Sequence, residues 1–296
     1  MLSCDGILHA IRQSALTQVK RFSVHAECAI AGEESLQSLR GGLATDASPF
    51  TLAAMTRSLP IRLAFCGLVG FALAGCQTGP TASAPAAAEI SVKPGINAEF
   101  LKSSLNLTQW VERFEGEGRE IYTHRDAILA AAKVRPGTTV ADVGAGTGLF
   151  TALLARAVGP EGKIYAVDIA KDFLGHIDQR MAADGISNVQ TVLCTERSVE
   201  LPPNSIDLAF ICDTYHHFEY PQSTMASLHR ALRSGGELVV VDFKRIPGQS
   251  SEWVMGHVRA GQETFKAEIE AIGFSQVEQV DALKDNYILR FRKARK

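Results

Sequence analysis

The segment Thr139–Phe150, TVADVGAGTGLF, constrains the architecture of this chain more than any other. Thr139 to Val143 are β-branched and small residues bounded by glycines, the pattern of a short buried strand. Gly144, Gly146 and Gly148 then permit a tight turn and let a ligand lie against bare backbone. Leu149 to Val158 reads as a helix packing back onto the sheet. A second strand, Ile164 to Val167, ends in Asp168, about twenty residues beyond the glycines. Strand, glycine turn, helix, strand and terminal carboxylate make a nucleotide-binding half-unit, in which the acid holds two ribose hydroxyls.

The glycine spacing narrows the ligand. Dinucleotide sites use G-x-G-x-x-G with an open helix N-terminus for the pyrophosphate. Here Gly144-Ala145-Gly146-Thr147-Gly148 is one residue shorter, and Asp142 stands in the strand end just before the turn. A carboxylate there repels a pyrophosphate but suits a ligand carrying an ammonium and a sulfonium. Asp142, Gly144, Gly146 and Gly148 match, residue for residue, the Asp/Glu-x-Gly-x-Gly-x-Gly motif of the class I S-adenosylmethionine-dependent methyltransferases, which this chain resembles. The resemblance implies S-adenosylmethionine as cofactor, held at Asp142, Gly144, Ala145, Gly146, Gly148 and Asp168, with Ile169 on the adenine face. The competing reading is a glycine turn that binds nothing; Asp168 and the downstream strand order weigh against it.

At 296 residues the chain can hold one large domain or two small ones. Its formal charge of −2 and lack of a basic block disfavour nucleic acid as a partner. The six cysteines have no metal-ligand spacing, so neither a disulfide framework nor a zinc site is expected. Cys194 and Cys212 fall in predicted core strands, where thiols behave as small hydrophobes.

Residues 1–54 show no clear apolar face and read as a non-native or disordered extension. At Met55 the character changes. Arg57 and Arg62 precede an apolar run, Leu63 to Gly75, of roughly 13 residues, short for a membrane span but right for a signal-peptide core. Leu73-Ala74-Gly75-Cys76 resembles the lipobox of bacterial lipoproteins, which implies that an acylated Cys76 becomes the mature N-terminus. The alternative is a buried helix that happens to end in Ala-Gly-Cys, which leaves the protein cytoplasmic. A signal so far from Met1 points to translation starting at Met55; an unusually long leader is the other explanation. By resemblance to bacterial lipoprotein sorting, Gln77 after the cysteine implies the outer membrane where the cell has one. Residues 77–96, rich in Ala and Pro, read as a tether, and residues 97–296 as the methyltransferase domain.

Further along, a helix from His124 to Ala132 ends at Pro136-Gly137 and leads into the first strand. Helices at 171–184, 221–233 and 263–272 alternate with strands at 189–194, 206–212 and 237–242. Gly235-Gly236 is the predicted helix stop, and 243–261 a long loop. Two strands, 275–280 and 286–292, close the chain. This is the pattern of an α/β, Rossmann-like doubly wound sheet, seven-stranded and mostly parallel with an antiparallel C-terminal pair.

In such folds the ligand lies across the carboxyl ends of the strands. By resemblance, Thr195 or Glu196 contacts the adenine, although the family's usual Gly-Asp pair is replaced here by Cys194-Thr195-Glu196. Asp213 is expected beside the methionine moiety. His216 and His217 are the candidate catalytic residues. As neighbours on a helix they are expected to point apart, one serving as base or orienting group and the other packing; the alternative is that both pack or face solvent. An acid followed closely by two histidines is typical of small-molecule methyltransferases, including those acting on quinones. Tyr122 is a candidate lid contact over the cofactor, and Lys244, Trp253, His257 and Arg259 lie in the long loop. The resulting expectation is methyl transfer to a small-molecule acceptor, whether through O, N, S or C. A catalytically silent binding module at the cell envelope is the alternative, and the glycine spacing disfavours an NAD-dependent oxidoreductase.

Overall fold

The computed structural model describes residues 89–295. Cys76, the signal-type segment and most of the tether lie outside those residues. Among the described residues, no helix is long and apolar enough to cross a membrane.

Seven strands form one sheet: β1 (Thr139–Val143), β2 (Lys163–Asp168), β3 (Val189–Leu193), β4 (Ile206–Cys212), β5 (Leu232–Phe243), β6 (Phe274–Val280) and β7 (Asn286–Lys293). Their order is β3-β2-β1-β4-β5-β7-β6. The first five are mutually parallel, and β7 runs antiparallel to both β5 and β6. The chain moves outward from β1 to β3, then returns to place β4 on the other side of β1. The carboxyl ends of β1 and β4 therefore part around a crevice, where open α/β sheets bind ligands.

Among the described residues, eight α-helices accompany the sheet: α1 (Leu107–Phe114), α2 (Glu120–Thr123), α3 (Arg125–Ala132), α4 (Leu149–Val158), α5 (Lys171–Ala183), α6 (Pro221–Ala231), α7 (Glu252–His257) and α8 (Gln262–Ala271). Alternation along the strands sends two apolar sets to opposite faces. Val140, Ile164, Phe210, Val239 and Ile288 pack against Ile128 of α3 and Phe150 and Leu154 of α4. Ala141, Ala209, Val240 and Leu289 pack against Met225 and Leu228 of α6 and Phe265 and Ile269 of α8. With both faces covered, the central strands are mostly apolar along their length, as parallel strands usually are, and carry carboxyls towards their ends.

Three local features depart from the sequence expectation. Gly235 and Gly236 do not stop a helix: α6 ends at Ala231 and β5 begins at Leu232, with the glycines inside the strand. Gly235 has φ +73°, and the pairing with β4 shifts register between Ile206 and Leu208, so the glycines mark a strand irregularity. The long loop 243–261 contains the short helix α7, capped by the Ser251 hydroxyl accepting from Val254 N–H. Residues 89–96, read as tether, are bound to the domain. Glu89 accepts from Gln222 and Ser223 N–H at the start of α6, and Lys93 Nζ donates to the Gly256 and His257 carbonyls.

Candidate active site

The glycine turn is built by backbone bonds before any side chain acts. Gly144 and Ala145 N–H both donate to Val167 O, tying the turn to the end of β2. Gly144, Gly146 and Gly148 have φ of +74°, +54° and +83°, which only glycine adopts without strain. Asp168 completes the turn: Oδ2 accepts from Gly146 N–H at 2.8 Å and Oδ1 from Ala170 N–H at 2.8 Å. The carboxylate thus fastens the turn to the start of α5 and keeps its remaining lone pairs for a ligand.

Two carboxyls sit buried at these strand ends. Burial, with a smaller contribution from the nearby Asp168, pushes Asp142 up to about 7 against the hydrogen bond from Thr151 Oγ1. Burial pushes Asp168 up to about 6, opposed by the backbone N–H donors. The folded chain holds these protons more tightly than the unfolded chain, whose carboxyls titrate near 3.8. The two groups therefore weaken the ligand-free fold as pH rises from 3.8 to about 7. A cation or hydroxyl donor placed against them reverses that penalty.

Around the turn lies a cavity of about 630 Å³. Asp142, Gly144, Ala145, Gly146, Asp168, Ile169, Thr195, Glu196, Asp213, His216 and His217 all line it. Two residues expected at the cofactor do not. Gly148 lies beneath the turn, where an added Cβ would come within 2.9 Å of Ile177 Cγ1, so this glycine allows α4 and α5 to pack closely. Tyr122 faces away, its ring under the Arg125 guanidinium, because α2 turns the buried Ile121 inward instead. Ile121 and Arg119 take the place at the cavity.

The histidines also differ from expectation. Residues 215–217 form one turn of 3₁₀ helix, and both rings line the cavity with centroids 4.4 Å apart. His216 is buried, with Nδ1 2.8 Å from Asp242 Oδ1. With Asp242 Oδ1 as the acceptor, Nδ1 carries the hydrogen and Nε2 is left for other partners. His217 is pushed down to about 2 by burial and by His216 and His257, and His257 down to about 4 by burial and His216. Both rings are therefore neutral at ordinary pH.

Several groups in and around the cavity, among them the partners of Asp213, carry no local sequence signal. Asp213 sits in the left-handed region at φ +47°, held by Arg119 Nη2 at 2.6 Å and Asn286 Nδ2 at 2.7 Å. Burial raises its carboxyl, and Arg119 opposes the rise. Glu115, after α1, accepts from Thr147 Oγ1 and from both Arg180 nitrogens, pinning the N-terminal segment to the glycine turn. Phe100, Trp110, Phe114 and Phe173 form an aromatic wall with neighbouring centroids 5.1–6.1 Å apart. Cys212 ends β4 as expected, whereas Cys194 lies just past β3; both line the cavity. Burial pushes the Cys194 thiol up to about 12, which makes it a poor nucleophile.

Residues 141–240, which include the turn, Asp168 and both histidines, match a family described as a methyltransferase domain. The chain is 30% identical over 118 residues to a ubiquinone/menaquinone biosynthesis C-methyltransferase of Burkholderia mallei, covering 40% of this chain and 48% of that protein. It thus spans about half the length of the curated relatives it matches. Among solved structures, a SAM-dependent methyltransferase from Aquifex aeolicus is similar with a TM-score of 0.57 at 21% identity. That likeness covers 64% of this chain and 99% of the other. The [4+2]-cyclase SpnF is similar with a TM-score of 0.51 at 18% identity, over 58% of this chain and 80% of its own. The fold is therefore the Rossmann-like seven-stranded sheet shared with these proteins.

Proposed function

We propose that this chain is an S-adenosylmethionine-dependent methyltransferase acting on a small-molecule acceptor. The observation that carries the reading is the convergence of Asp142, the open glycine turn and Asp168 on one cavity at the strand-order reversal. A sulfonium and an ammonium suit buried carboxyls whose ionised forms gain from an approaching charge or donor. A ribose diol suits Asp168, and Ile169 and Thr195 line the cavity beyond it. A volume of about 630 Å³ leaves room for an acceptor beside the cofactor, within the ordinary range of ligand sites. The aromatic wall favours a flat or apolar acceptor. The curated relative named as a ubiquinone/menaquinone C-methyltransferase is consistent with a carbon acceptor of that kind. The similarity to a cyclase means that the fold alone does not decide the reaction. Fixed orientation of methyl donor and acceptor lowers the barrier by roughly 7–11 kcal/mol in favourable cases.

Calorimetric titration with S-adenosylhomocysteine tests the site. Asp168→Ala is expected to weaken binding by about 1.5–3 kcal/mol, the scale of a hydrogen bond to a charged group. Because ribose hydroxyls favour the ionised carboxylate, wild-type binding near pH 6 releases protons, visible as a dependence of heat on buffer. Affinity accordingly rises as pH rises through about 6. Unchanged affinity in Asp168→Ala, with no proton release in the wild type, would sink the assignment. A silent binding module has the same titration and fails only in turnover with candidate acceptors.

We also propose a lipid-anchored location at the cell envelope, resting on Arg57 to Cys76. Two or three acyl chains on Cys76 suffice for stable anchoring where one is marginal. Mass spectrometry of the mature N-terminus checks this, and an unmodified peptide spanning Gly75 and Cys76 refutes it.

A further inference from the structure

His216, His217 and His257 come together from two separate parts of the chain, the 3₁₀ turn after β4 and the end of α7. One nitrogen from each ring lies within 4.8 Å of the others. All three rings line the cavity. We propose that these three histidines form a binding site for one divalent transition-metal ion of the zinc class.

The distances favour this over a simple ring contact. His217 Nε2 and His257 Nε2 are 3.3 Å apart. That is long for an N–H···N hydrogen bond. A tetrahedral ion with ligand nitrogens at 2.0–2.1 Å separates them by about 3.3–3.4 Å, so the pair already spans one edge of such a centre. Three imidazoles are a donor set that suits zinc, copper, nickel or iron and not magnesium or calcium.

The surroundings supply the outer support such a site needs. Asp242 binds His216 Nδ1, which fixes the tautomer and aims Nε2 outward, the carboxylate–histidine arrangement found behind metal ligands. Trp253 stacks on His257 with centroids 4.6 Å apart, and Phe100 meets His217 edge-on at 5.3 Å. Both contacts hold rings in place without claiming a nitrogen. Lys93, anchored on the His257 and Gly256 carbonyls, is the opposing positive charge, with Arg113 also acting on His257. The Asp242 carboxylate offsets it.

Three protein ligands leave a four-coordinate ion one position for water or an acceptor atom. Resting on the methyl-transfer reading, and for an acceptor methylated at oxygen or sulfur and not at carbon, an O–H or S–H bound there would lose its proton to solvent water more readily. The heteroatom lone pair then attacks the sulfonium methyl. A carbon–heteroatom bond forms, the carbon–sulfur bond breaks, and its electron pair returns to sulfur as S-adenosylhomocysteine leaves.

The test uses the full chain, treated with chelator and dialysed, then titrated calorimetrically with Zn²⁺ alone. Wild type and a His124→Ala control are expected to bind one tight equivalent that His257→Ala loses. Asp242→Asn is expected to weaken that binding by about 10–100-fold, the usual cost of removing a partner behind a ligand. Thermal melting checks the fold of each variant, and His257→Gln repeats the comparison should the alanine variant melt early. Absence of tight Zn²⁺ binding in the wild type, or identical titrations for wild type and both His257 variants, overturns the proposal. A parallel titration with S-adenosylhomocysteine separates the two readings: a wild type that binds the cofactor product but no Zn²⁺ sinks the metal site alone.

Discussion

Gly144→Ala is expected to cost about 2–5 kcal/mol of stability and to abolish S-adenosylhomocysteine binding. The position has φ +74°, where a side chain strains the backbone by about 1–2 kcal/mol. Space is the larger problem. An added Cβ would lie 2.2 Å from Thr214 Cγ2 and 2.4 Å from its Oγ1, so Thr214 must move. Thr214 follows Asp213, itself held in the left-handed region by Arg119 and Asn286, and the displacement passes directly into the cavity wall. Overpacking of this kind typically adds about 1–3 kcal/mol. Gly146 is different: a Cβ there meets only Phe114, at 3.4 Å, so Gly146→Ala carries the backbone strain without the clash. Urea unfolding of the two variants separates the terms. Thr214→Gly added to Gly144→Ala should recover the clash while leaving the φ strain. Full recovery is not expected, because Thr214 Oγ1 also donates to Cys212 O at 2.9 Å. A loss no larger at Gly144 than at Gly146, with no rescue, would show that Thr214 yields freely.

The part of the site legible in the sequence is the part made by consecutive residues. Strand, glycine turn, helix and Asp168 follow one another within a single unit, so spacing alone places them. Side-chain phase in short elements is less legible. A helix as short as α2 has no periodicity from which to tell Ile121 from Tyr122, and the wrong one was expected at the cavity. Gly148 shares the motif's chemistry with Gly144 and Gly146, but only the position of Ile177 reveals that it serves packing. Glycines at 235–236 fit a helix stop and a strand irregularity equally well, and the outcome was set by pairing with β4. The clusters joining distant segments left no trace in spacing. His257 reaches His217 from α7, Asn286 reaches Asp213 from β7, and Arg180 reaches Glu115 from α5. Cysteine spacing gave no metal motif, and a three-histidine cluster assembled by tertiary contact has no spacing to read.

Asp242→Ala carries the second large effect, about 3–5 kcal/mol of stability, the usual result of removing one partner from a buried polar pair. The carboxyl is fully buried at the end of β5. Oδ1 accepts from His216 Nδ1 and from Phe243 N–H, and Oδ2 accepts from His216 N–H. Alanine leaves those three donors unpaired, and each orphaned donor costs about 1–3 kcal/mol unless water reaches it. His216 lines the cavity, so water can relieve part of the loss and the total falls short of the simple sum. Asparagine is the informative comparison. Its carbonyl can replace Oδ1 and serve both His216 Nδ1 and Phe243 N–H, while its amide meets the His216 N–H donor to donor. Asp242→Asn should therefore lose about 1–3 kcal/mol, less than alanine, in denaturant unfolding. The two substitutions act through one residue on two elements, β5 and the 3₁₀ turn at 215–217, so the loss should appear as faster amide exchange at both. Equal stability of the two variants would mean that the carboxylate contributes charge alone. Faster exchange confined to β5 would mean that the turn carrying both histidines is held by Tyr215, buried against Phe218 and Phe265, and not by Asp242.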